Sequence, residues 1–101
     1  MEISPDNYLK MTFAKADSIV SRKIADEFIL VPLRRKAGEV EQIYTLNKVG
    51  ARIWELLDGE RTVEQVRDLI VQEFDVRPEP AEEDLVLLLQ QLQQVHAVKA
   101  G

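Results

Sequence analysis

The residues of this chain that could do chemistry are few and scattered. Three consecutive acids, Glu82-Glu83-Asp84, could supply carboxylates for general acid–base catalysis, and the single histidine, His96, could ligate a metal. The acids begin a predicted helix, where negative charge favours the positive end of the helix dipole. His96 has no second ligand or partner base in view, and the chain contains no cysteine. The sequence therefore predicts a protein that is not an enzyme and has no metal site.

Basic residues cluster at Arg34-Arg35-Lys36, in a predicted hairpin loop. A DNA-binding domain needs Arg, Lys, Asn or Gln on a recognition helix and further cations for the phosphates. The second predicted helix has one arginine, Arg67, among acids, and the formal net charge of the chain is −5. Two short helices joined by Asp58-Gly59 resemble a helix-turn-helix, so a winged-helix-like DNA-binding protein is an alternative, which this charge pattern disfavours.

Strand-forming sequence precedes helix-forming sequence. Two runs rich in β-branched and aromatic residues, Ser18–Ile24 and Glu27–Arg34, flank a predicted tight turn at Ala25-Asp26-Glu27. A loop that contains Gly38 leads to a third run, Gln42–Leu46. Three consecutive strands with short links predict an antiparallel meander.

Helical periodicity begins at Asn47, which is a good N-cap, and Gly59 is a natural left-handed stop for the first helix. Thr62 and Gln65 predict a capping box for the second helix. Two prolines end that helix, and Pro80 fits the first turn of a third, which runs to about residue 96 with a stripe of leucines towards the core.

These elements predict an α+β domain, in which a three-stranded antiparallel sheet precedes a three-helix bundle in a winged-helix-like arrangement. Residues 18–98 form the domain, and residues 1–17 form an N-terminal arm that packs on it or on a neighbour. No segment has the roughly 20 apolar residues of a membrane span, and we find no signal-peptide pattern. The absence of cysteine fits a reducing cytoplasm.

Two features indicate a protein or peptide partner. The predicted sheet has two edges, and a guest peptide can add a strand to an exposed edge. Val86 and Leu87 lie about 100° and 200° around the third helix from Leu85, outside its leucine stripe. They are either ordinary exposed apolar residues or the lining of a groove or subunit contact. A structural homodimer module, in which the arm and Leu87 bury each other, is therefore a second alternative.

A series of short motifs runs through Ile43–Val76. They are Leu46-Asn47, Ile53-Trp54, Leu57-Asp58-Gly59, Thr62-Val63 and an apolar run that ends at Phe74. In this order they resemble the PqqD-like family, the pyrroloquinoline quinone (PQQ) biosynthesis D-type proteins, also known as RiPP recognition elements. The resemblance covers about residues 18–98. The long hairpin loop and the N-terminal arm depart from the family pattern.

The resemblance implies a non-catalytic domain without a cofactor, which binds the leader of a ribosomally made precursor peptide. The leader adds as a strand to the third strand, beside the third helix, and the domain presents it to a modifying enzyme, often a radical SAM enzyme. The family serves different products, so PQQ itself is not implied. Mapped onto this chain, the implied peptide-binding residues are Gln42, Ile43, Tyr44, Thr45, Leu46, Leu85, Val86, Leu89, Gln90 and Gln93.

Overall fold

The computed structural model describes residues 5–32 and 44–101. Within these ranges the chain has an α+β fold with two antiparallel three-stranded sheets. Its three long helices lie between β4 and β6 in the sequence, and β5 separates the first of them from the second. The elements, in chain order, are α1 (Pro5–Leu9), β1 (Thr12–Lys15), β2 (Ile19–Ile24), β3 (Glu27–Pro32), β4 (Tyr44–Leu46), α2 (Lys48–Leu56), β5 (Asp58–Thr62), α3 (Val63–Phe74), α4 (Pro78–Gln94) and β6 (Val98–Ala100).

The sheet with the strand order β2-β3-β4 is the antiparallel meander that the sequence predicts. The β2–β3 hairpin turns at Ala25-Asp26, with Ala25 in the left-handed region at φ 55°. β4 pairs with β3, and Leu46 lies opposite Phe28. Because side chains alternate across a strand, Leu46 faces the core while Thr45 is exposed. The predicted start of this strand at Gln42 and the hairpin loop lie outside the described residues.

A second sheet, which the sequence analysis did not predict, joins segments that are far apart in the chain. Its order is β5-β1-β6, and the central strand β1 runs antiparallel to both neighbours. β1 comes from the predicted arm, and Phe13 within it is 0% exposed. The boundary between an arm of residues 1–17 and a domain of residues 18–98 stays a prediction, and the burial of Phe13 argues for an earlier start of the domain.

The first long helix, α2, begins as predicted and ends early. Asn47 is its N-cap, and the Asn47 Oδ1 accepts a hydrogen bond of 2.7 Å from the Gly50 N–H. The predicted stop at Gly59 is wrong, because α2 ends at Leu56 and the next residues form β5. Gly59 does take a positive φ, 81°, but within that strand. Asp58-Gly59 therefore joins the second sheet rather than making a tight turn between two helices.

The last long helix, α4, begins at Pro78 with Arg77 before it as N-cap, so Pro80 lies in its first turn as predicted. The helix ends at Gln94, and His96 lies in the following turn with a left-handed φ of 58°. In the described parts of the chain, no helix combines the length and the apolar character that a membrane crossing requires.

The capping box predicted at the start of α3 is confirmed. Thr62 Oγ1 accepts a hydrogen bond of 3.2 Å from the Gln65 N–H, and Gln65 Oε1 accepts one of 2.9 Å from the Thr62 N–H. We expect Thr62→Ala to lower the free energy of unfolding by about 1 kcal/mol, because a helix-start donor loses its partner. Urea denaturation measures this change. Gln72→Ala, at an exposed position of the same helix, is the control, and equal losses in both variants would contradict the prediction.

Arginine–carboxylate contacts tie the helices together. Arg52 on α2 donates from Nε to Glu73 Oε1 on α3 at 2.8 Å. Arg67 on α3 donates from Nη1 to Glu82 Oε1 on α4 at 2.7 Å, and from Nη2 to Asp68 at 2.9 Å. The hydrogen bonds with Glu73 and Glu82 raise the pKa of the two arginines above its ordinary value. Both guanidinium groups thus stay charged and are engaged by carboxylates of the protein.

One hydrophobic core connects the sheets with the helices. It is built from the inward faces of β1, β3, β4 and β6 and from one face of each long helix. Its buried members are Phe13, Leu30, Leu46, Ile53, Trp54, Leu56, Leu57, Val63, Val66, Ile70, Leu85, Leu89, Leu92, Ala97 and Val98. The predicted leucine stripe of the last helix is the part of α4 that enters this core.

Candidate peptide-binding groove

A groove of about 350 Å³ opens between the end of β4, the first half of α2 and the first half of α4. Its lining is mostly apolar, as is common for sites that take an apolar ligand side chain. The lining residues are Thr45, Leu46, Asn47, Val49, Gly50, Ile53, Ile70, Val76, Pro80, Ala81, Asp84 and Leu88.

The floor and the rim of the groove differ in exposure. Ile53 and Ile70 form a buried floor, since both are also members of the core. Val49 and Leu88 are half-buried, and Val76 is 39% exposed in the segment between α3 and α4. An apolar side chain that entered the groove would remove this rim from water, which is favourable by about 25 cal/mol per Å² of apolar surface.

The junction between β4 and α2 shapes one wall of the groove. Gly50 is buried there, and a Cβ at this position would lie 3.3 Å from Asn47 Oδ1 and 3.4 Å from Leu46 Cβ. Those distances are tighter than ordinary van der Waals contact, so a larger residue would crowd the cap and the end of the strand. Glycine thus keeps α2 close to β4 and holds the groove next to the strand.

β4 is an edge strand of its sheet in the described part of the chain. Its partner there is β3 on one side, and no described strand pairs with the other side. An edge strand presents backbone N–H and C=O groups to which a further strand can bind. Because Thr45 and Leu46 of β4 also line the groove, backbone hydrogen-bonding groups and an apolar groove lie side by side.

Asp84 is the ionisable residue among those that line the groove. It lies in the second turn of α4 and is exposed. Within the described ranges, no lysine or arginine forms an ion pair with it, whereas Glu82, two residues earlier, is bound by Arg67. The groove therefore combines an apolar lining with one carboxylate.

The predicted strand residues lie partly at this groove. Gln42 and Ile43 are outside the described residues. Tyr44 is half-buried, Thr45 is exposed, and Leu46 is buried. The structure brings Thr45 and Leu46 to the groove, and their contact with a peptide stays a prediction.

The predicted helix residues lie elsewhere on α4. Leu85 and Leu89 are 1% and 0% exposed, so their side chains are occupied in the core. Val86, Gln90 and Gln93 do not line the groove. They lie about 80–140° from Leu85 in one direction around the helix, whereas Leu88 and Asp84 lie about 60–100° away in the other. Their peptide-binding role is untested, but they face a different flank from the groove.

The flank with Val86 and Gln93 is the one nearest α3. Glu82 lies on that side of α4, about 60° from Leu85, and its carboxylate reaches Arg67 of α3. α4 therefore packs on α3 with one flank and borders the groove with the other. Val86, Gln90 and Gln93 thus lie away from this groove, and their contact with a peptide stays a prediction.

Sequence reasoning missed the residues that α2 and the α3–α4 segment contribute. The sequence analysis gives Val49, Ile53 and Val76 no part in a binding site, whereas all three line the groove. Leu88 was placed in the leucine stripe and Asp84 among the charges of the helix start. A usable signal was present in Leu88, whose half-buried position at the border of the stripe follows from its angle of about 60° to Leu85.

In the part of the chain that the structure describes, the fold and this groove define an α+β domain with an edge strand beside an apolar cleft. The chain matches the family model of Coenzyme PQQ synthesis protein D (PqqD) over residues 27–98. It belongs to this family, which confirms the resemblance seen in the motifs. The solved structure of TbiB1 in complex with the TbiA(beta) leader peptide is similar to it, with 31% sequence identity and a TM-score of 0.68. The similarity covers 85% of this chain and 94% of that chain. No curated protein matches the chain.

Proposed function

We propose that this chain is a non-catalytic module that binds the leader segment of a ribosomally synthesised precursor peptide. The observation that carries the proposal is that β4, an edge strand among the described residues, lies beside an apolar groove. Membership of the PqqD family supports it. So does the similarity to TbiB1, whose structure contains a leader peptide.

Strand addition is the proposed mode of binding. Main-chain hydrogen bonds to β4 supply affinity that does not depend on the leader's sequence, and every second side chain of the guest strand points into the groove and supplies selectivity. The domain then presents the bound precursor to a modifying enzyme, and a radical SAM enzyme is the class that the family resemblance favours. A cytoplasmic location fits this role and the absence of cysteine.

Binding to DNA fits the arrangement of charges less well. Phosphate contacts need free cations, but Arg52 and Arg67 are engaged by carboxylates, and Arg61 donates to Asp58 at 2.7 Å. The winged-helix-like placement of a three-helix bundle stays a prediction. The homodimer alternative has one supporting observation, the 55% exposure of Leu87.

A titration followed by NMR tests the proposal. We expect the synthetic leader of a short precursor peptide encoded beside this protein to shift the amide signals of Tyr44–Leu46 and of the groove residues on α2 and α4. A peptide with the same composition in scrambled order is the control. Shifts spread evenly over the surface, or none at micromolar to millimolar leader, would contradict strand addition at this edge.

A further inference from the structure

The position of Asp84 bears on which leaders the groove accepts. It is the carboxylate among residues that are otherwise apolar or uncharged, and it is exposed at the groove. We infer that the groove selects a guest strand that carries a Lys or Arg on the same face as an apolar side chain, two residues away from it. This inference rests on the proposed function and adds the chemistry of the peptide.

The two-residue spacing follows from comparing the distance between Asp84 and Leu88 along α4 with the side-chain repeat of a guest strand. Pro80, Ala81, Asp84 and Leu88 all line the groove, so α4 runs along it for more than two turns. Asp84 and Leu88 are one turn apart, about 6 Å along the helix axis. Side chains on one face of a strand repeat every second residue, about 6.6 Å. For a guest strand that runs along α4, one inward side chain lies near Leu88 when the next lies near Asp84.

The charge follows from the neighbours of Asp84. Leu88 offers an apolar contact, whereas Asp84 offers a carboxylate that no described cation neutralises. Glu79 and Glu83, also exposed on the first turns of α4, add negative potential, and the chain carries a net charge of −5. A basic side chain is attracted to this end of the groove, and an acidic one is repelled from it.

Peptide selection tests the inference without knowledge of the natural leader. A phage-displayed library of random twelve-residue peptides is selected separately on the full-length protein and on its Asp84→Lys variant. We expect the first pool to enrich Lys or Arg two positions from Leu, Ile, Val, Phe or Tyr. The second pool should enrich Asp or Glu at the same position, because the reversed charge selects the opposite partner.

Affinity measurements on one selected peptide, labelled with fluorescein and followed by anisotropy, give the size of the effect. For an exposed ion pair we expect Asp84→Asn to raise Kd about threefold and Asp84→Lys about fivefold, both effects shrinking in high salt. Glu60→Lys is the matched control, since it makes the same change of net charge at an exposed position of β5 that does not line the groove. It should change Kd less than twofold.

The outcomes separate this inference from the proposed function. If neither protein enriches any peptide, the proposed function fails and the inference fails with it. Two pools that share apolar positions but show no charge preference would leave the peptide-binding role intact and overturn the inference. The inference is also overturned if Asp84→Lys leaves Kd unchanged while replacement of Arg34, Arg35 and Lys36 by alanine lowers it, because the chain's own loop would then be the partner of the groove.

Discussion

Phe13→Ala is expected to lower the free energy of unfolding by about 3–5 kcal/mol. Phe13 is 0% exposed, lies on the central strand of the second sheet and has the Tyr8 ring at a centroid distance of 5.9 Å. Truncation to alanine leaves a cavity that the strands on both sides of β1 hold open. The loss is a large part of the roughly 5–15 kcal/mol that stabilises a small domain.

Urea denaturation followed by circular dichroism measures this change. Phe28→Ala is the matched control, because Phe28 is half-buried on the other sheet and should lose less when truncated. A chain that lacks residues 1–16 should fail to fold, since it loses all of β1, the central strand of the second sheet. A loss under about 1 kcal/mol for Phe13→Ala, against the scale of core truncations, would show that the segment packs on the domain without stabilising it.

The second sheet shows why part of the fold escaped prediction. β1 has four residues, too few for a visible alternation, and its partners are distant in sequence, with Thr12 opposite Thr62 and Ala14 opposite Lys99. No local pattern records such pairings. The predicted turn at Asp58-Gly59 was wrong for the same reason. These residues favour a turn in isolation, but their pairing with β1 overrides that preference.

The helix starts were predictable because their causes are local. Asn47 lies three residues before the Gly50 N–H that it caps, and Thr62 and Gln65 bond to each other. The hairpin between β2 and β3 is local in the same sense. Each feature depends on a few adjacent residues, so reading the sequence was enough.

The candidate site also has one feature that the sequence predicts and one that depends on tertiary packing. That the third strand of the meander is an edge follows from its place in the order of strands. Which flank of α4 faces that edge depends on how α4 packs on α3, and the Arg67–Glu82 contact that accompanies this packing has no signature in either helix alone. A helical wheel predicts which residues share a face of α4, but it does not predict which element of the fold packs against that face.

Leu88→Gln tests the assigned flank directly. We expect it to raise the Kd for a bound leader about tenfold, because the half-buried Leu88 side chain lines the groove and its apolar contact with the guest contributes roughly 1.5 kcal/mol. Fluorescence anisotropy with the labelled leader measures the change.

Leu87→Gln is the matched control, with the same substitution one position away on the same helix. Leu87 is 55% exposed and does not line the groove, so its variant should bind the leader within twofold of the unchanged protein. Thermal unfolding of both variants separates a lost contact from a lost fold. If Leu87→Gln weakens binding and Leu88→Gln does not, the leader lies on the outer face of α4, and the groove beside β4 is not its site.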